Sequence, residues 1–493
     1  MVCIFANCKK IFKVKNYTDI IIVGAGLSGV GAACHLKRKN PEKSYVIFEA
    51  REELGGTWSL FKYPGIRSDS DMYTFGFSFK TWDNPKSFAD APNILKYLNE
   101  AANEYKIKDK IKYHTKVLKA NFDTQNKIWS ITTINKVGIE ETYHSRFLFS
   151  CTGYYNYDEG YTPDYNGIEN FEGKIIHPQH WPENLDYKNK RVVVVGSGAT
   201  AVTIVPEMAN ETSEITMLQR SPTYVGAFPN KDKYAELFKK YFPKKVAHKL
   251  IRFKNIFVQI LFFQACKIWP NYMKKLLVKA AQKKLGDFPA KPHFEPNYNP
   301  WDQRFCVAPD GDLFRAIRKG KANVITDKID SFNKKGIKLA SGKNLDADII
   351  ISATGLKLLA FGGSKISIDG VAYNPSDAIT YKGLMLSGLP NCIFFAGYTN
   401  ASWTLKSDLT SEYASRLFKL MDKKNYSFFM PKVENQNMNI SPLLNLNSGY
   451  IHRSSHLFPK QGSKLPWKLY QNYFFDYTML RINKIRDKNL ILN

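Results

Sequence analysis

The chain is poor in cysteine and contains no C-x-x-C pair. Its seven cysteines are scattered over 493 residues and are odd in number. This distribution argues against a zinc site and against a dithiol redox centre, because both need thiols paired at short spacing. We therefore expect no metal site, and reduced thiols fit a cytoplasmic location.

Acidic residues are scarce relative to basic ones. The chain has 71 Lys and Arg against 44 Asp and Glu, a formal net charge of +27. Such a surplus favours anionic partners. No nucleic-acid recognition module is visible, however, and we predict no nucleic-acid binding.

Much of the surplus lies in residues 231–287, which hold 15 basic and 3 acidic residues. The apolar run within them, residues 256–263, is too short to span a bilayer. Two interpretations stay open for this segment. It is either a basic amphipathic helical insert in peripheral contact with an anionic membrane, or a set of helices packed on the protein with solvated lysines.

What the chain has in quantity is apolar and aromatic residues, at 44% and 14%. This composition excludes wholesale disorder, and the length predicts two to three domains. Residues 1–18 carry lysines after their apolar stretch, which is not the layout of a signal peptide. We interpret them as an N-terminal extension of the fold.

Residues 20–49 have the pattern of a dinucleotide-binding unit. A short apolar strand at 20–23 runs into the loop GAGLSG, a helix follows over 28–39, and a second strand at 45–48 ends in Glu49. The glycines let a pyrophosphate approach the free N–H groups at the helix N-terminus. The Glu49 carboxylate would accept hydrogen bonds from ribose hydroxyls, which predicts a dinucleotide without a 2′-phosphate at this loop.

A second unit repeats the pattern with one change. The strand 191–195, the loop GSGATA (196–201), a helix over 199–210 and a strand at 214–218 lead into Gln219, Arg220 and Ser221. No acid stands where the first unit has Glu49. Because a carboxylate would repel a 2′-phosphate and an arginine pairs with it, this unit is predicted to bind NADPH.

The order of these segments predicts an α/β protein with two Rossmann-like dinucleotide-binding domains. Residues 111–121 and 127–134 have the pattern of a hairpin, and two strands, 147–152 and 348–354, each end in Thr-Gly. These endings would carry the chain between the domains. We thus expect an FAD-binding domain at 19–153 and 355–493. The NADPH-binding domain, at 154–354, would be inserted in it and would include the helical insert at about 231–287.

Three further motifs carry a family resemblance. FEGKIIHPQHWP (171–182) has the spacing F-x-G-x-x-x-H-x-x-x-W-P and lies between the two loops; GGTWSLFKYPGIRSD and NPWDQRFC stand at 55–69 and 299–306. Together they resemble the signatures of the Baeyer–Villiger monooxygenases, in the class B flavoprotein monooxygenase superfamily. GSGATAVTIVPEMA and NASWTLKSDL are similar to the ethionamide-activating branch of that family.

The resemblance implies FAD at the first loop, NADPH at the second and a set of residues for each. The FAD contacts would be Gly24, Gly26, Ser28, Gly29, Glu49, Gly56, Thr57, Trp58, Leu60, Asp69 and Val117. The NADPH contacts would be Arg67, Ser68, Gly196, Ser197, Gly198, Ala199, Thr200, Ala201, Val202, Arg220 and Ser221. Phe171, Gly173, His177 and Trp181 would have a structural and domain-coupling role.

The resemblance also implies the reaction and its catalytic residues. One oxygen atom of O₂ would be inserted beside a ketone carbonyl to give an ester or lactone, and thioethers or thioamides would be oxygenated at sulfur. Arg304 would stabilise developing negative charge, and Asp69 would hold it in place. Relatives often have Lys-Arg where this chain has Gln303 and Arg304, which predicts a weaker preference for NADPH. Tyr398 follows Gly397 where many flavoproteins have an aspartate against the flavin ribityl chain.

Three other functions are compatible with parts of the pattern. An N- or S-oxygenating flavin monooxygenase without ketone activity usually has Tyr or Phe where this chain has Trp181 and Pro182. A pyridine-nucleotide disulfide reductase would need the missing C-x-x-C pair. A non-enzymatic flavoprotein would not need Asp69 and Arg304.

Overall fold

The computed structural model describes residues 16–434, 438–443 and 449–493. Most of the predicted N-terminal extension, residues 1–15, lies outside this range. The first strand begins at Tyr17, so the last two residues of that predicted extension belong to the first sheet.

A nine-stranded sheet surrounds the first glycine loop. Its centre is Tyr17–Val23, which is parallel to Tyr45–Phe48 on one side and to Glu140–Ser150 on the other. Ile20 and Ile22 face a core shared with helices, whereas Ile21 faces a second core shared with antiparallel strands. The strands, in order across the sheet, are Val371–Tyr373, Lys365–Ile368, Thr115–Asp123, Ile128–Asn135, Glu140–Ser150, Tyr17–Val23, Tyr45–Phe48 and Ile111–Lys112, with Cys392–Phe394 also paired to Glu140–Ser150.

The predicted first strand of the hairpin, 111–121, is two strands. Ile111–Lys112 is the edge strand parallel to Tyr45–Phe48, and Thr115–Asp123 begins the antiparallel part of the sheet. The chain turns between them at His114, which has a φ of 50°. The period-2 pattern could not reveal this break, because both pieces keep the same alternation.

A five-stranded parallel sheet surrounds the second glycine loop. Arg191–Val195 lies at its centre between Glu214–Gln219 and Ile349–Ser352, and the helix Ala199–Met208 follows the loop. In order across the sheet the strands are Asn323–Thr326, Glu214–Gln219, Arg191–Val195, Ile349–Ser352 and Lys174–Ile176.

The two segments that connect the sheets pair with each other. Tyr155–Gly160 leaves the first sheet, Leu356–Leu358 returns to it, and the two form an antiparallel ladder. The other small sheets pair Val225–Phe228 with Cys306–Pro309, Thr380–Tyr381 with Met385–Leu386, Phe429–Pro431 with Leu490–Leu492, Ile440–Pro442 with Lys460–Gly462, and Gly336–Leu339 with both Ile329–Asn333 and Asn344–Asp346.

The basic segment 231–287 is helical. It forms Lys233–Tyr241, Lys244–Ile268 and Pro270–Leu285. Among the described residues no helix is both long and apolar enough to cross a membrane. The remaining α-helices are Leu27–Lys39, Thr57–Leu60, Met72–Phe75, Ala91–Glu104, Asp312–Arg318, Trp403–Lys424, Gly449–Ser454 and Tyr473–Tyr477.

Candidate active site

A cleft of about 460 Å³ opens at the carboxyl ends of the first sheet's parallel strands. Predicted residues from three distant stretches of the chain line it. They are Gly24, Gly26, Ser28, Glu49, Gly56, Thr57, Trp58, Val117 and Arg304. Gly29, Leu60 and Asp69, which were also predicted to contact the FAD, are not among its lining residues.

Glu49 is buried at the end of its strand and turned toward the glycine loop. Its Oε2 accepts a hydrogen bond from the backbone N–H of Ala25 at 2.7 Å, and its Oε1 accepts one from the N–H of Arg51 at 3.1 Å. Burial raises the pKa of this carboxyl, and the backbone hydrogen bonds oppose that rise. The carboxylate keeps further lone pairs for hydroxyl donors in the cleft, as a nucleotide ribose would require.

The glycines of the first loop allow close packing of backbone on backbone. Gly24 has a φ of 100°, and a Cβ there would lie 2.7 Å from the carbonyl oxygen of Cys151. A Cβ at Gly29 would lie 1.9 Å from the carbonyl oxygen of Gly24. Gly29 therefore packs on the backbone of Gly24, and its predicted contact with FAD stays a prediction.

The sequence motifs missed several residues of the cleft. The most informative is Trp403, whose indole Nε1 donates a hydrogen bond to the Oγ of Ser28 at 2.8 Å. A Cβ at Gly397 would lie 2.3 Å from the Trp403 ring, so a glycine is needed beside it. The segment NASWTLKSDL, which carried part of the family resemblance, contains this tryptophan. Other lining residues that were not predicted are Arg51, Phe75, Lys116, Thr152, Tyr154 and Tyr157.

Asp69 lies close enough to Arg304 and Arg67 for both positive charges to act on its carboxyl. Burial raises the pKa of its carboxyl, while the positive charges of Arg304 and Arg67 act in the opposite direction. Arg304 itself lines the cleft and exposes its side chain there. A cation thus lines the cleft with a half-buried carboxylate near it. The catalytic roles of this pair stay a prediction.

Arg67 is held by a carboxylate from the second half of the chain. Its Nη1 is 2.5 Å from the Oδ2 of Asp312. Its Nε and Nη2 are buried and have no hydrogen-bond partner within the described part of the structure. Buried donors normally have acceptors, so these two atoms fit an anionic or carbonyl-bearing ligand. Ser68, by contrast, uses its hydroxyl within its own loop, donating to the carbonyl of Ser70 at 2.9 Å.

The second glycine loop lies beside a strand whose carboxyl end is exposed to solvent. Gly196 has a φ of 142°, and the Oγ of Ser197 lies 3.1 Å from the Oγ1 of Thr223. Arg220 and Ser221 are exposed at the end of the neighbouring strand. Gln219 is buried instead, and its Nε2 donates to the carbonyl oxygen of His293 at 2.7 Å. This strand end therefore presents a cation to solvent at the place where the first unit presents Glu49.

The loop 55–69 also contacts the second glycine loop directly. Tyr63 makes a side-chain hydrogen bond to Thr200, although burial dominates and raises the pKa of its hydroxyl to about 12. A Cβ at Gly65 would lie 3.1 Å from the Cβ of Glu207, on the helix Ala199–Met208. A single segment thus touches the surroundings of both glycine loops.

The central motif 171–182 lies at the two connecting segments. The Nε2 of His177 is 3.0 Å from the carbonyl oxygen of Gly355 on the returning segment, and a Cβ at Gly160 on the outgoing segment would lie 2.0 Å from the imidazole. Burial lowers the pKa of His177. Because this imidazole contacts backbone on both sides and is not a lining residue of the cleft, its position fits a structural role.

The other motif residues pack around this connection. Phe171 belongs to the core of the five-stranded sheet, and Trp181 packs on the opposite core of that sheet. A Cβ at Gly173 would lie 2.4 Å from the Phe171 ring. These contacts tie the motif to the second sheet.

Neither a dithiol nor a metal cluster is found in the described residues. Cys34, Cys151, Cys266, Cys306 and Cys392 are all free and buried. Burial raises the pKa of the Cys151 thiol, which lines the cleft, well above its usual value. No group of three or more His, Cys, Asp or Glu in the described chain could hold a metal ion.

Comparison with known proteins finds relatives that match 96% of the chain. A family model described as "Pyridine nucleotide-disulphide oxidoreductase" matches residues 21–228. The chain is 49% identical over 477 residues to "FAD-containing monooxygenase EthA" of Mycolicibacterium smegmatis, covering 96% of this chain and 97% of that protein. It is 46% identical over 475 residues to "Probable FAD-binding monooxygenase AlmA" of Acinetobacter baylyi, covering 96% and 95%.

Solved structures share the fold at lower identity. An open crystal structure of cyclohexanone monooxygenase superposes with a TM-score of 0.74 at 18% identity, covering 97% of this chain and 100% of that one. The structure of OTEMO in complex with FAD and NADP (form 2) superposes with a TM-score of 0.72 at 21% identity, covering 97% and 99%. Both have the two-sheet α/β architecture described above.

Proposed function

This chain belongs to the family of FAD-containing monooxygenases represented by EthA, and we propose that it catalyses a Baeyer–Villiger oxidation. It is a flavin monooxygenase with FAD and NADP as cofactors. The proposed substrate is a ketone, which would gain one oxygen atom of O₂ beside its carbonyl to become an ester or lactone. We also propose oxygenation of thioethers and thioamides at sulfur.

One observation carries the proposal. Arg304 comes from the loop after the helical insert, far along the chain from the first glycine loop, yet it lines the same cleft as Glu49, Thr57 and Trp58. Asp69 is near enough to Arg304 for the positive charge of the guanidinium to lower the pKa of its carboxyl, although burial raises it more. A simple flavin-binding module would not need a half-buried carboxylate and a cation next to each other near the nucleotide site.

The types of side chain that line the cleft support FAD as its ligand. We propose that Glu49 binds the ribose hydroxyls, that the loop 24–29 faces the pyrophosphate and that Thr57 and Trp58 contact the flavin. Bound FAD, once reduced by NADPH, supplies the chemistry that activates O₂. The domain assignment stays as proposed, with 19–153 and 355–493 for FAD and 154–354 for NADPH.

For NADPH we propose binding across the second loop. Residues 196–202 would face the pyrophosphate, and Arg220 with Ser221 would bind the 2′-phosphate. The unpartnered Nε and Nη2 of Arg67 would donate hydrogen bonds to the same cofactor. Tyr63, through its contact with Thr200, would help to hold the two cofactor sites in a fixed position relative to each other.

Arg304 has the main catalytic role in the proposal. Its guanidinium would stabilise negative charge that develops on the carbonyl oxygen of the substrate, because a preorganised cation in a partly dry cleft interacts strongly with such charge. Asp69 would keep the guanidinium in position. His177 would have no part in this catalytic step, since its imidazole contacts the carbonyl oxygen of Gly355 on the connecting segment.

The experiment that tests this proposal is a product assay on the purified holoenzyme. A panel of cyclic and linear ketones and a panel of thioethers would be incubated with NADPH and O₂, and products would be identified by mass spectrometry. We expect esters or lactones from at least one ketone, with NADPH consumed in proportion. Sulfoxides without any ester or lactone would identify an S-oxygenating enzyme and overturn the ketone assignment.

The cytoplasmic location is a separate proposal. It is supported by the free state of all five cysteines in the described residues. Fractionation of cells that produce the protein would test it, and recovery from an extracytoplasmic fraction would contradict it.

A further inference from the structure

The long helix of the basic segment, Lys244–Ile268, turns polar side chains toward the protein together with buried apolar ones. Arg252 is buried, with its Nη2 3.2 Å from the Oδ2 of Asp408 and its Nη1 2.7 Å from the carbonyl oxygen of Gly76. The side-chain amides of Asn255 and Gln259 each donate to the Asp71 carboxylate at 2.8 Å. These contacts fix the orientation of the helix on the first domain.

The opposite face of the same helix is apolar and exposed. Phe253 is 59% exposed, Phe257 46% and Leu261 51%, and Leu250 and Ile268 are exposed as well. Spacings of three, four, four and seven residues put all five on one stripe. We call these five residues the outer stripe.

Ile251, Ile256 and Cys266 are buried beside the polar groups that contact the first domain, so the inner side of the helix is mixed. An ordinary surface helix turns a polar face to solvent, whereas this one turns the outer stripe there. Exposed single hydrophobic residues are common, but a contiguous stripe is typical of a surface that contacts another apolar phase or partner. The apolar surface continues past the stripe, since Trp269 and Tyr272 in the following turn are 61% and 66% exposed.

Exposed lysines lie on the same helix as the outer stripe and on the helix that follows it. Lys245, Lys249, Lys275, Lys279 and Lys283 are exposed, and within the described chain none of them has an acidic group at ion-pair distance. The segment 231–287 as a whole carries 15 basic against 3 acidic residues. A protein partner of ordinary composition would not match both features, whereas an anionic bilayer offers an apolar interior beneath negative headgroups.

We propose that the outer stripe and these lysines dock on the surface of a membrane that contains anionic lipids. The aromatic and aliphatic side chains enter the boundary between headgroups and acyl chains, and the lysines bind the lipid phosphates. The helix lies in the plane of the membrane and does not cross it. The contacts of Arg252 with Asp408 hold the stripe outward, so no rearrangement of the protein is needed for docking.

The test is sedimentation of the purified, FAD-loaded protein with lipid vesicles. We expect binding to vesicles of phosphatidylcholine with phosphatidylglycerol, weaker binding to pure phosphatidylcholine, and loss of binding as the salt concentration rises. The double variant Phe257→Ser/Leu261→Ser should lower the partition coefficient about tenfold or more. It removes two apolar side chains that the membrane would bury in the docked state.

The matched control is Val137→Ser/Ile139→Ser, at the exposed turn between two strands of the first sheet, where the residues are 76% and 58% exposed. It should bind vesicles like the unchanged protein. Both double variants should keep their flavin and their NADPH oxidation, since neither touches the cleft, so a failure of the proposed function would not affect the vesicle result.

Three results would overturn the docking proposal. The first is the absence of binding to either vesicle type, and the second is equal binding by Phe257→Ser/Leu261→Ser and the unchanged protein. The third is a dimer in analytical ultracentrifugation that this variant dissociates and that excludes vesicle binding. That last result would assign the outer stripe to a second copy of the chain.

Discussion

The Oε2 of Glu49 lies 2.7 Å from the backbone nitrogen of Ala25, the second residue of the first glycine loop. The carboxylate at the end of one strand thereby holds the loop that follows another. Glu49 thus stabilises the shape of the loop, and we propose that it also presents a carboxylate oxygen to the ribose of the bound FAD.

Replacing Glu49 by Gln should weaken FAD retention. The amide keeps the size of the side chain but loses the charge, and charge-assisted hydrogen bonds are worth about 1.5–3 kcal/mol each. The flavin content of the purified protein, measured by its absorbance, should fall below that of the unchanged protein. Glu52→Gln, at an exposed position nearby, is the matched control and should keep its flavin. Equal flavin content in the two variants would refute the role of Glu49.

Arg220→Ala should affect one nicotinamide cofactor and spare the other. We expect the KM for NADPH to rise about ten- to hundredfold, the factor that corresponds to one lost charge-assisted contact with the 2′-phosphate. The KM for NADH should change little, because that cofactor has no such phosphate. Lys321→Ala, at the amino edge of the same sheet, is the control. An equal rise for both cofactors would show that Arg220 is structural.

Arg304→Ala should abolish ketone oxidation without releasing FAD. Loss of one preorganised charge-stabilising group typically lowers kcat about 10²–10³-fold. NADPH oxidation should continue with release of hydrogen peroxide, because hydride transfer does not need the substrate oxyanion stabilised. Arg304→Lys, which keeps a cation, should retain part of the activity. Near-normal ketone conversion by Arg304→Ala would mean that the catalytic cation lies elsewhere.

His248 makes the stability of the insert sensitive to acid. It is buried on the inner face of Lys244–Ile268, and burial together with the nearby Arg252 charge lowers its pKa to about 4. Its stabilising contribution is complete above the unfolded value of 6.5 and is lost as the pH falls through the folded value. Between these values the unfolded chain binds a proton that the folded chain does not, so acid favours unfolding.

His248→Phe should remove this dependence. From about pH 7 to about pH 5 the unchanged protein should lose about 2 kcal/mol more unfolding free energy than the variant. Denaturant titrations at the two pH values measure the difference. The same substitution at the exposed His456 serves as control and should leave the acid loss unchanged. An acid loss in His248→Phe equal to that of the unchanged protein would contradict the buried neutral histidine.

The sequence predicted the two dinucleotide units well because their signals are local. A strand, a glycine loop and a helix follow one another within about thirty residues, and the strand Arg191–Val195 has the bounds that its apolar run predicted. The α/β class with two Rossmann-like sheets is confirmed by the structure and by solved structures of the same fold.

Contacts between distant segments were harder to predict. Nothing near Ser28 in the sequence indicates that Trp403 donates to its hydroxyl, and no local pattern indicates that Cys392–Phe394 pairs with Glu140–Ser150. The packing of Gly29 on Gly24 and the hydrogen bond from Ser68 to Ser70 were not predictable for a related reason. A motif gives the residues of a loop but not which of their atoms the loop itself uses.

The orientation of the helix Lys244–Ile268 also depends on contacts with distant segments, which the sequence pattern does not reveal. Its hydrophobic pattern predicts an amphipathic helix, and by itself would favour burial of the apolar side. The structure buries Ile251 and Ile256 but leaves a second apolar stripe exposed, because Asp71 and Asp408, far away in the sequence, bind the polar groups between them. Charge partners of this kind cannot be read from periodicity within the helix.

The match of residues 21–228 to the disulphide oxidoreductase model reflects a shared nucleotide-binding fold. A disulfide reductase needs a pair of reactive thiols beside its flavin. In the described residues the cysteine that lines the cleft is Cys151, a single buried thiol with a raised pKa. The chemistry of that class is therefore not available at this site, and the monooxygenase relatives describe the chain better.

Isotope labelling tests directly whether the enzyme inserts one oxygen atom of O₂ beside the carbonyl of a ketone. The holoenzyme would be supplied with NADPH, a cyclic ketone that it accepts and ¹⁸O₂, and the product would be analysed by mass spectrometry. We expect a lactone with one ¹⁸O atom, in the ring position between the carbonyl carbon and the migrated carbon, and an unlabelled carbonyl oxygen. Consumption of NADPH with hydrogen peroxide as the sole oxygen product, across every ketone tested, would contradict this expectation.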